Sequence, residues 1–214
     1  MTALVTGATS GFGRAIALRL AKLGYNLIVT GRRKELLDTL CDEIRKNYST
    51  NVIALNFDVR DQKACEEAVN SLSDEFKNID LLVNNAGLAA GAASFDESLL
   101  EDFERMIDTN VKGLLYMTKL IVPGMIARQT GHIVNLSSIA GIEVYPTGNV
   151  YCASKHAVNA ITKGLRIDLV KHGIRVSSIS PGMDETEFSI VRYHGDSEKA
   201  KAVYNGLTPL NAED

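Results

Sequence analysis

The sequence predicts an α/β protein: one doubly wound parallel sheet, Rossmann-like, with helices on both faces. Two observations carry this. Short runs rich in Val, Ile and Leu alternate with longer amphipathic segments, the order expected of strands covered on both faces and joined by right-handed helical crossovers. The first run also passes directly into a glycine-rich turn, Gly7-Ala8-Thr9-Ser10-Gly11-Phe12-Gly13, with a helical pattern behind it.

In chain order, strands are predicted over 2–6, 26–30, 52–56, 80–83, 131–136 and 174–179. The intervening helices are predicted over 11–23, 33–47, 61–76, 98–127 with a break near Asp108, 150–172 and 187–205. In the second helix Leu36, Leu40 and Ile44 share a face, while Arg33, Lys34, Asp38 and Asp42 point elsewhere. No internal repeat, low-complexity segment or linker interrupts the pattern. Its 214 residues therefore suit one domain, 1–214, with a lid segment at about 183–207. A further helix could begin at Asn211-Ala212-Glu213-Asp214, where the chain stops.

Composition narrows the function classes. A net charge of −3 gives no general attraction to nucleic acid or anionic membrane. No apolar run approaches the roughly 18 residues of a membrane span. The chain enters its first strand at once, which reads as having no signal peptide. Cys41, Cys65 and Cys152 are odd in number and widely spaced, so they form neither a disulfide framework nor a zinc pattern, and no metal site is expected. The simplest placement is the reducing cytoplasm.

The glycine turn has a chemical use. Glycines let a pyrophosphate approach the backbone, and the helix behind offers it free amides and a partial positive charge. The spacing, three residues between the first two glycines and one between the last two, departs from the commoner fingerprint. The end of the second strand should then read the adenosine ribose. Here Val29-Thr30-Gly31-Arg32-Arg33 offers two guanidiniums and no carboxylate, which favours the 2′-phosphate of NADP over NAD. As mere solvated residues at a helix start, two cations would oppose the helix dipole.

A second group lies towards the C-terminus. The strand Ile133-Val134-Asn135-Leu136 ends in Ser137-Ser138, at the carboxyl end where such sheets bind ligands. Tyr151 and Lys155 stand four apart on a helix and share a face. A phenol is a poor base at neutral pH, but a nearby ammonium favours the phenolate. Tyr151 could then exchange a proton with a carbonyl or alcohol oxygen that Ser138 also hydrogen-bonds, while hydride moves to or from a nicotinamide. Either feature alone is common; together they point to an oxidoreductase.

With these residues in view, the chain resembles a classical short-chain dehydrogenase/reductase over nearly its whole length. The shared positions are Thr6-Gly7, Gly11, Gly13, Asp58-Val59, Asn84-Asn85-Ala86-Gly87, Asn110, Ser138, Tyr151, Lys155 and Pro181-Gly182. The resemblance implies that Asp58 and Val59 lie at the adenine and that Asn85, Ala86 and Gly87 line the cofactor. It implies that Asn110 holds a water in a proton relay with Lys155, and that Lys155 also bonds the nicotinamide ribose. Pro181, Gly182 and Met183 would border the nicotinamide, with Thr186 near its carboxamide or the phosphates. A narrower similarity, in Thr30-Gly31-Arg32-Arg33, Met106–Asn110, Gly148–Tyr151 and Glu187–Tyr193, is to NADP-dependent 3-hydroxy acid dehydrogenases acting on L-allo-threonine, serine and related acids. Such a substrate needs a cation for its carboxylate, and Arg192 is the candidate; a surface or cofactor-contacting role for Arg192 is the alternative. His194 reads as an exposed lid residue. The resemblance further implies a homotetramer or dimer pairing through the 98–127 and 150–172 helices, and a further helix and strand after the last residue. Asp184 departs from the family, which has an apolar residue there. Two other functions stay open: a broad aldehyde or ketone reductase, and a non-catalytic NADP-binding sensor, against which the intact Asn110, Ser138, Tyr151 and Lys155 argue.

Overall fold

A computed structural model describes residues 1–214 apart from Glu185, Leu207, Leu210 and Asp214. Its strands are β1 (Thr2–Val5), β2 (Asn26–Gly31), β3 (Val52–Asn56), β4 (Ile79–Asn84), β5 (Gly131–Leu136) and β6 (Ile174–Ile179). All pair in parallel, in the order β3-β2-β1-β4-β5-β6. The predicted doubly wound sheet is therefore present, and its order reverses between β1 and β4, the switch point at which such sheets bind ligands.

The helices are α1 (Gly11–Lys22), α2 (Lys34–Asn47), α3 (Gln62–Asn70), α4 (Asp74–Lys77), α5 (Leu100–Ile107), α6 (Leu114–Arg128), α7 (Asn149–Leu169), α8 (Glu187–Arg192) and α9 (Ser197–Ala202). Alternate strand residues serve opposite cores. Ala3, Val5, Leu27 and Val29 pack with Ala17, Leu37, Leu40 and Ile44 of α1 and α2. Leu4, Ile28, Leu82 and Ile133 pack with Met117, Ile121 and Met125 of α6. A third cluster joins Leu88, Ala89 and Ala90 to Met106, Tyr151 and Cys152 at the site end.

Four predicted helices need correction. The 61–76 segment is two helices, because Ser71 closes α3 through its hydroxyl on Ala68 O and Ser73 starts α4. The 98–127 segment does not break at Asp108; it widens there into a π-helical stretch, Asp108–Gly113, and continues into α6. The 150–172 segment ends as 3-10 helix at Val170–His172. The 187–205 segment divides where Gly195 N bonds Ile190 O and Asp196 caps α9 through Lys199 N. On α2 it is Leu37 that is buried, whereas Leu36 is 39% exposed; 37, 40, 41 and 44 form the helical stripe. The lid's Glu185 and Leu207 lie outside the described residues.

A buried polar lattice fixes the strand ends under the site. Asn84 and Asn135 are register partners on β4 and β5. Asn84 Nδ2 donates to Asn135 Oδ1 and to Thr118 Oγ1, and Asn135 Nδ2 donates to Thr162 Oγ1, each at 2.9 Å. Two strands and two helices are thereby tied at one level. Asn135→Ala strips buried partners from Asn84 and Thr162, and we expect a loss of about 3 kcal/mol in urea unfolding with the m value unchanged; a loss under about 0.5 kcal/mol would remove this lattice from the account of the fold.

Candidate active site

The loops after β1 and β4 meet backbone to backbone. Thr6 Oγ1 accepts from Asn85 N and Ala86 N at 3.0 Å, and Asn85 Nδ2 donates to Thr6 O at 2.9 Å and Gly7 O at 3.1 Å. At Gly7 and Gly13 no side chain fits. A Cβ on Gly7, whose φ is +67°, would lie 2.8 Å from Ala86 Cα; one on Gly13 would lie 2.3 Å from Gly7 O and 2.4 Å from Asn85 Nδ2. Ser10 takes the N-cap position of α1 without a side-chain capping bond, and the first turn holds no acid. The opening amides of α1 therefore lack intrahelical partners at the mouth of a cleft of about 450 Å³. This cradle fits the pyrophosphate of a dinucleotide.

Arg32 and Arg33 line one end of that cleft, with Asp58 and Val59. They are not equivalent. Arg33 donates through Nη2 to Thr9 Oγ1 at 3.0 Å and Ser10 Oγ at 2.9 Å, and through Nη1 to Glu187 Oε2 at 2.9 Å. Arg32 reaches only Asp58, at 3.7 Å, and Asp58 already accepts two bonds from Arg60 at 3.0 and 2.7 Å. Burial pushes the Asp58 carboxyl up, but the bonds and charge of Arg60, with Arg32 behind, outweigh it and hold the carboxyl below its ordinary value.

At the other end the cleft is lined by Ser138, Tyr151, Lys155, Pro181 and Gly182. Ser138 follows β5 and its Oγ accepts from Ala140 N at 3.1 Å. Tyr151 and Lys155 face it from successive turns of α7, both buried. Lys155 Nζ donates to Leu136 O at 2.8 Å and sits 5.8 Å from the centre of the Tyr151 ring. The expected lowering of the phenol's pKa by this ammonium is not found. Burial pushes the Tyr151 phenol above its ordinary value, against the Ser138 hydroxyl, which pulls it down. Burial also lowers Lys155 to about 8. Both groups have left water, and desolvation outweighs what an ammonium at this distance returns.

Asn110 lies behind this wall, fully committed. Its Oδ1 accepts from Leu88 N, and its Nδ2 donates to Leu88 O and Ser154 Oγ. The π-helical stretch carries it. Of the other predicted residues, Thr9, Ser10, Gly11, Phe12, Asn85, Ala86, Gly87 and Thr186 line the cleft. Gly13 lies behind the turn, Met183 is 40% exposed and turned away between lining neighbours, and Arg192 is outside the lining. Arg192 instead donates to Tyr145 Oη at 3.1 Å and to Gly91 O at 3.4 Å. His194 is half exposed, as read, but pairs with buried Asp102 at 3.1 Å. Asp184 does line the cleft, and its main-chain oxygen accepts from Tyr204 Oη at 2.8 Å.

Several lining residues were not singled out as site residues from the sequence: Phe57, Leu88, Thr109, Glu187 and Phe188. Phe188 meets Tyr151 edge-on with centroids 5.5 Å apart. Of these, Glu187 was the one open to inference, as a carboxylate at the start of a lid helix in a molecule with adjacent arginines just after β2.

Comparison with known proteins agrees with this geometry. Residues 1–195 match the family described as short chain dehydrogenase. The NADP-dependent 3-hydroxy acid dehydrogenase of Salmonella typhi is 48% identical over 215 residues, covering 100% of this chain and 85% of that protein. Serine 3-dehydrogenase of Agrobacterium fabrum is 46% identical over 213 residues, covering 100% and 84%. A solved structure described as the closed form of serine dehydrogenase complexed with NADP+ superposes with a TM-score of 0.94 at 47% identity, over 100% of this chain and 85% of that one.

The lowered Lys155 pKa has a consequence for stability. Between about pH 8 and the ordinary lysine value near 10.4, the unfolded chain holds more protons than the folded one. Stability contributed by this site therefore rises with pH across that window, and the burial penalty is fully present below it. Lys155→Met should raise the melting temperature of the ligand-free protein by a few degrees at pH 7, a gain that shrinks towards pH 10. A gain independent of pH in calorimetry would show that the ammonium is not the source.

Proposed function

The chain belongs to the short-chain dehydrogenase family, and from that premise we propose that it moves a hydride between NADP(H) and the hydroxyl-bearing carbon of a small 3-hydroxy acid such as L-allo-threonine or serine. The observation that carries this reading is one cleft with two ends: a phosphate cradle flanked by Arg32 and Arg33, and, opposite, Ser138, Tyr151 and Lys155 within one wall.

The cradle of Thr9, Ser10, Gly11 and Phe12 holds the pyrophosphate, and Arg32 with Arg33 takes the 2′-phosphate. Asp58 and Val59 border the adenine. When bound, the dinucleotide supplies the hydride donor or acceptor and, in its oxidised form, a positive charge beside the phenol. Ser138 Oγ hydrogen-bonds the substrate oxygen and Tyr151 Oη exchanges a proton with it. In reduction the phenol donates from the protonated state that burial already favours. In oxidation it must give up that proton first, which needs added positive charge nearby. Lys155 spends one donor on Leu136 O and turns the others to the ribose and the phenol. Asn110 has both amide hydrogens committed, so its part in a relay falls to a main-chain carbonyl loosened by the π geometry.

The substrate class is supported by the names of the similar proteins and by Arg192, held beside the substrate end by Tyr145. One observation favours a second reading, a broad aldehyde or ketone reductase: the Arg192 guanidinium is engaged and outside the cleft lining. The three cysteines are free and buried, which supports a reducing compartment such as the cytoplasm, and no helix among the described residues is long and apolar enough to cross a membrane. Exposed Leu115 on α6 and Ile167 on α7 support pairing of copies through those helices.

Turnover followed at 340 nm tests the scheme. Tyr151→Phe should lower kcat by at least about a hundredfold while leaving NADP+ binding intact; retained turnover would overturn the assignment. Arg32→Ala should raise the KM for NADP+ about tenfold and leave that for NAD+ nearly unchanged. Arg192→Ala should raise KM for serine and allo-threonine and spare neutral alcohols, whereas equal effects on both would favour the broad reductase.

A further inference from the structure

We propose that Arg60 is a positioning residue for cofactor choice: it engages both oxygens of the Asp58 carboxylate, and so keeps that carboxylate from claiming Arg32 and from repelling the 2′-phosphate of NADP(H). The inference rests on the NADP reading above and adds a residue that lies outside the cleft lining.

The need for such a residue comes from the sheet. β2 and β3 pair in parallel with Gly31 opposite Asn56, so the segments after them leave the sheet side by side. Phe57 N and Asn56 Nδ2 both donate to Gly31 O, at 3.1 and 2.8 Å, and hold the two exits together. One exit carries Arg32 and the other carries Asp58. A carboxylate is thereby set beside the cation that the 2′-phosphate requires. In these folds an acidic side chain near the adenosine ribose is the device that favours NAD. Asp58 with its charge uncompensated would act in that direction twice, by repelling a phosphate and by drawing Arg32 into an ion pair.

The distances show which arginine has the carboxylate. Asp58 Oδ1 accepts from Arg60 N at 3.0 Å, and Oδ2 accepts from Arg60 Nε at 3.0 Å and Nη2 at 2.7 Å. Arg32 Nη1 is 3.7 Å from Oδ2, beyond hydrogen-bond reach. Local geometry explains the asymmetry. The chain turns sharply before α3, with Asp61 N donating to Asp58 O at 3.1 Å, and this folds the Arg60 side chain back onto a residue two positions earlier. The Asp58 side chain is 26% exposed, so solvent screens its charge less than that of a surface carboxylate and a counter-charge matters more. Asp108, the other carboxylate whose charge reaches Arg60, has its own partner in Lys112 at 2.7 Å. Because Arg60 is outside the lining while Asp58 and Arg32 are both in it, its influence on a phosphate passes through Asp58.

Calorimetric titration with adenosine 2′,5′-bisphosphate and with 5′-AMP reads the effect as a ratio of affinities, in which changes at the adenine or in the fold cancel. Arg60→Gln should lower the preference for the bisphosphate about fivefold, towards the upper limit for a partly exposed ion pair, and Arg60→Lys should retain most of it. In an Asp58→Asn background the same Arg60→Gln change should leave the ratio unaltered, because no carboxylate remains to be held. An equal loss in both backgrounds would mean that Arg60 acts on the phosphate by itself. An unaltered ratio in Arg60→Gln alone would mean that Asp58 exerts no such pull. Either result overturns the proposal in a protein that prefers the bisphosphate. In turnover, the ratio of KM for NADP+ to KM for NAD+ should rise in step with kcat unchanged; a fall in kcat with both cofactors and no change in that ratio would make Arg60 merely structural and overturn it as well. A wild-type protein that binds both nucleotides equally overturns the NADP reading itself.

Discussion

Everything at the site is built on the contact between two loops that pack so closely that Gly7 and Gly13 have no room for a side chain. Thr6 takes the amides of both Asn85 and Ala86 on one hydroxyl, and Asn85 returns its own amide to Thr6 and Gly7. Parallel strands leave their carboxyl-end amides and carbonyls unpaired, and at the switch point these belong to β1 and β4. Bonding the two loops to each other satisfies them and flattens the turn, so the α1 amides face the cleft. One strand over, the Asn84–Asn135 lattice sets β5 at the same height. Ser138 therefore follows a strand whose end is tied by side-chain bonds to its neighbour and to α7.

The electrostatics of the opposite wall follow from burial. Tyr151 and Lys155 face one another out of water, and each is pushed towards its neutral form. Here the phenol is the group that burial keeps neutral, whereas Lys155, lowered to about 8, still carries its charge at neutral pH. The tyrosine–lysine spacing alone suggests an ammonium that favours the phenolate; the buried geometry favours the neutral phenol instead.

The six strands were legible because both faces of each are covered, so their Val, Ile and Leu runs are dense and short. The glycine turn, Ser138, Tyr151 and Lys155 were legible because each demands a particular residue type at a fixed distance from a strand or within a helix turn. What was not legible depended on distant partners. Whether the chain breaks or widens at Asp108 is set by Asn110 bonding across to Leu88, 22 positions away. Which of Leu36 and Leu37 faces inward is set by the angle at which α2 meets the sheet. Arg192 falls on α8, within the segment read as a lid, but its partners Tyr145 and Gly91 lie on loops whose approach to α8 has no periodicity to betray it.

Those loop contacts make α8 more than a cover. It is six residues long, too short to be stable by itself, and its hold on the body comes from the side chains at its ends together with Phe188 and Ser189 between. The first residue answers to Arg33, on the phosphate side. The last, Arg192, answers to Tyr145 and Gly91, on the substrate side. Between those ends Phe188 meets Tyr151 edge-on, with centroids 5.5 Å apart. One short helix thus joins the Arg33 contact, the edge of the phenol and the loop contacts of Arg192, with no link that runs through the sheet.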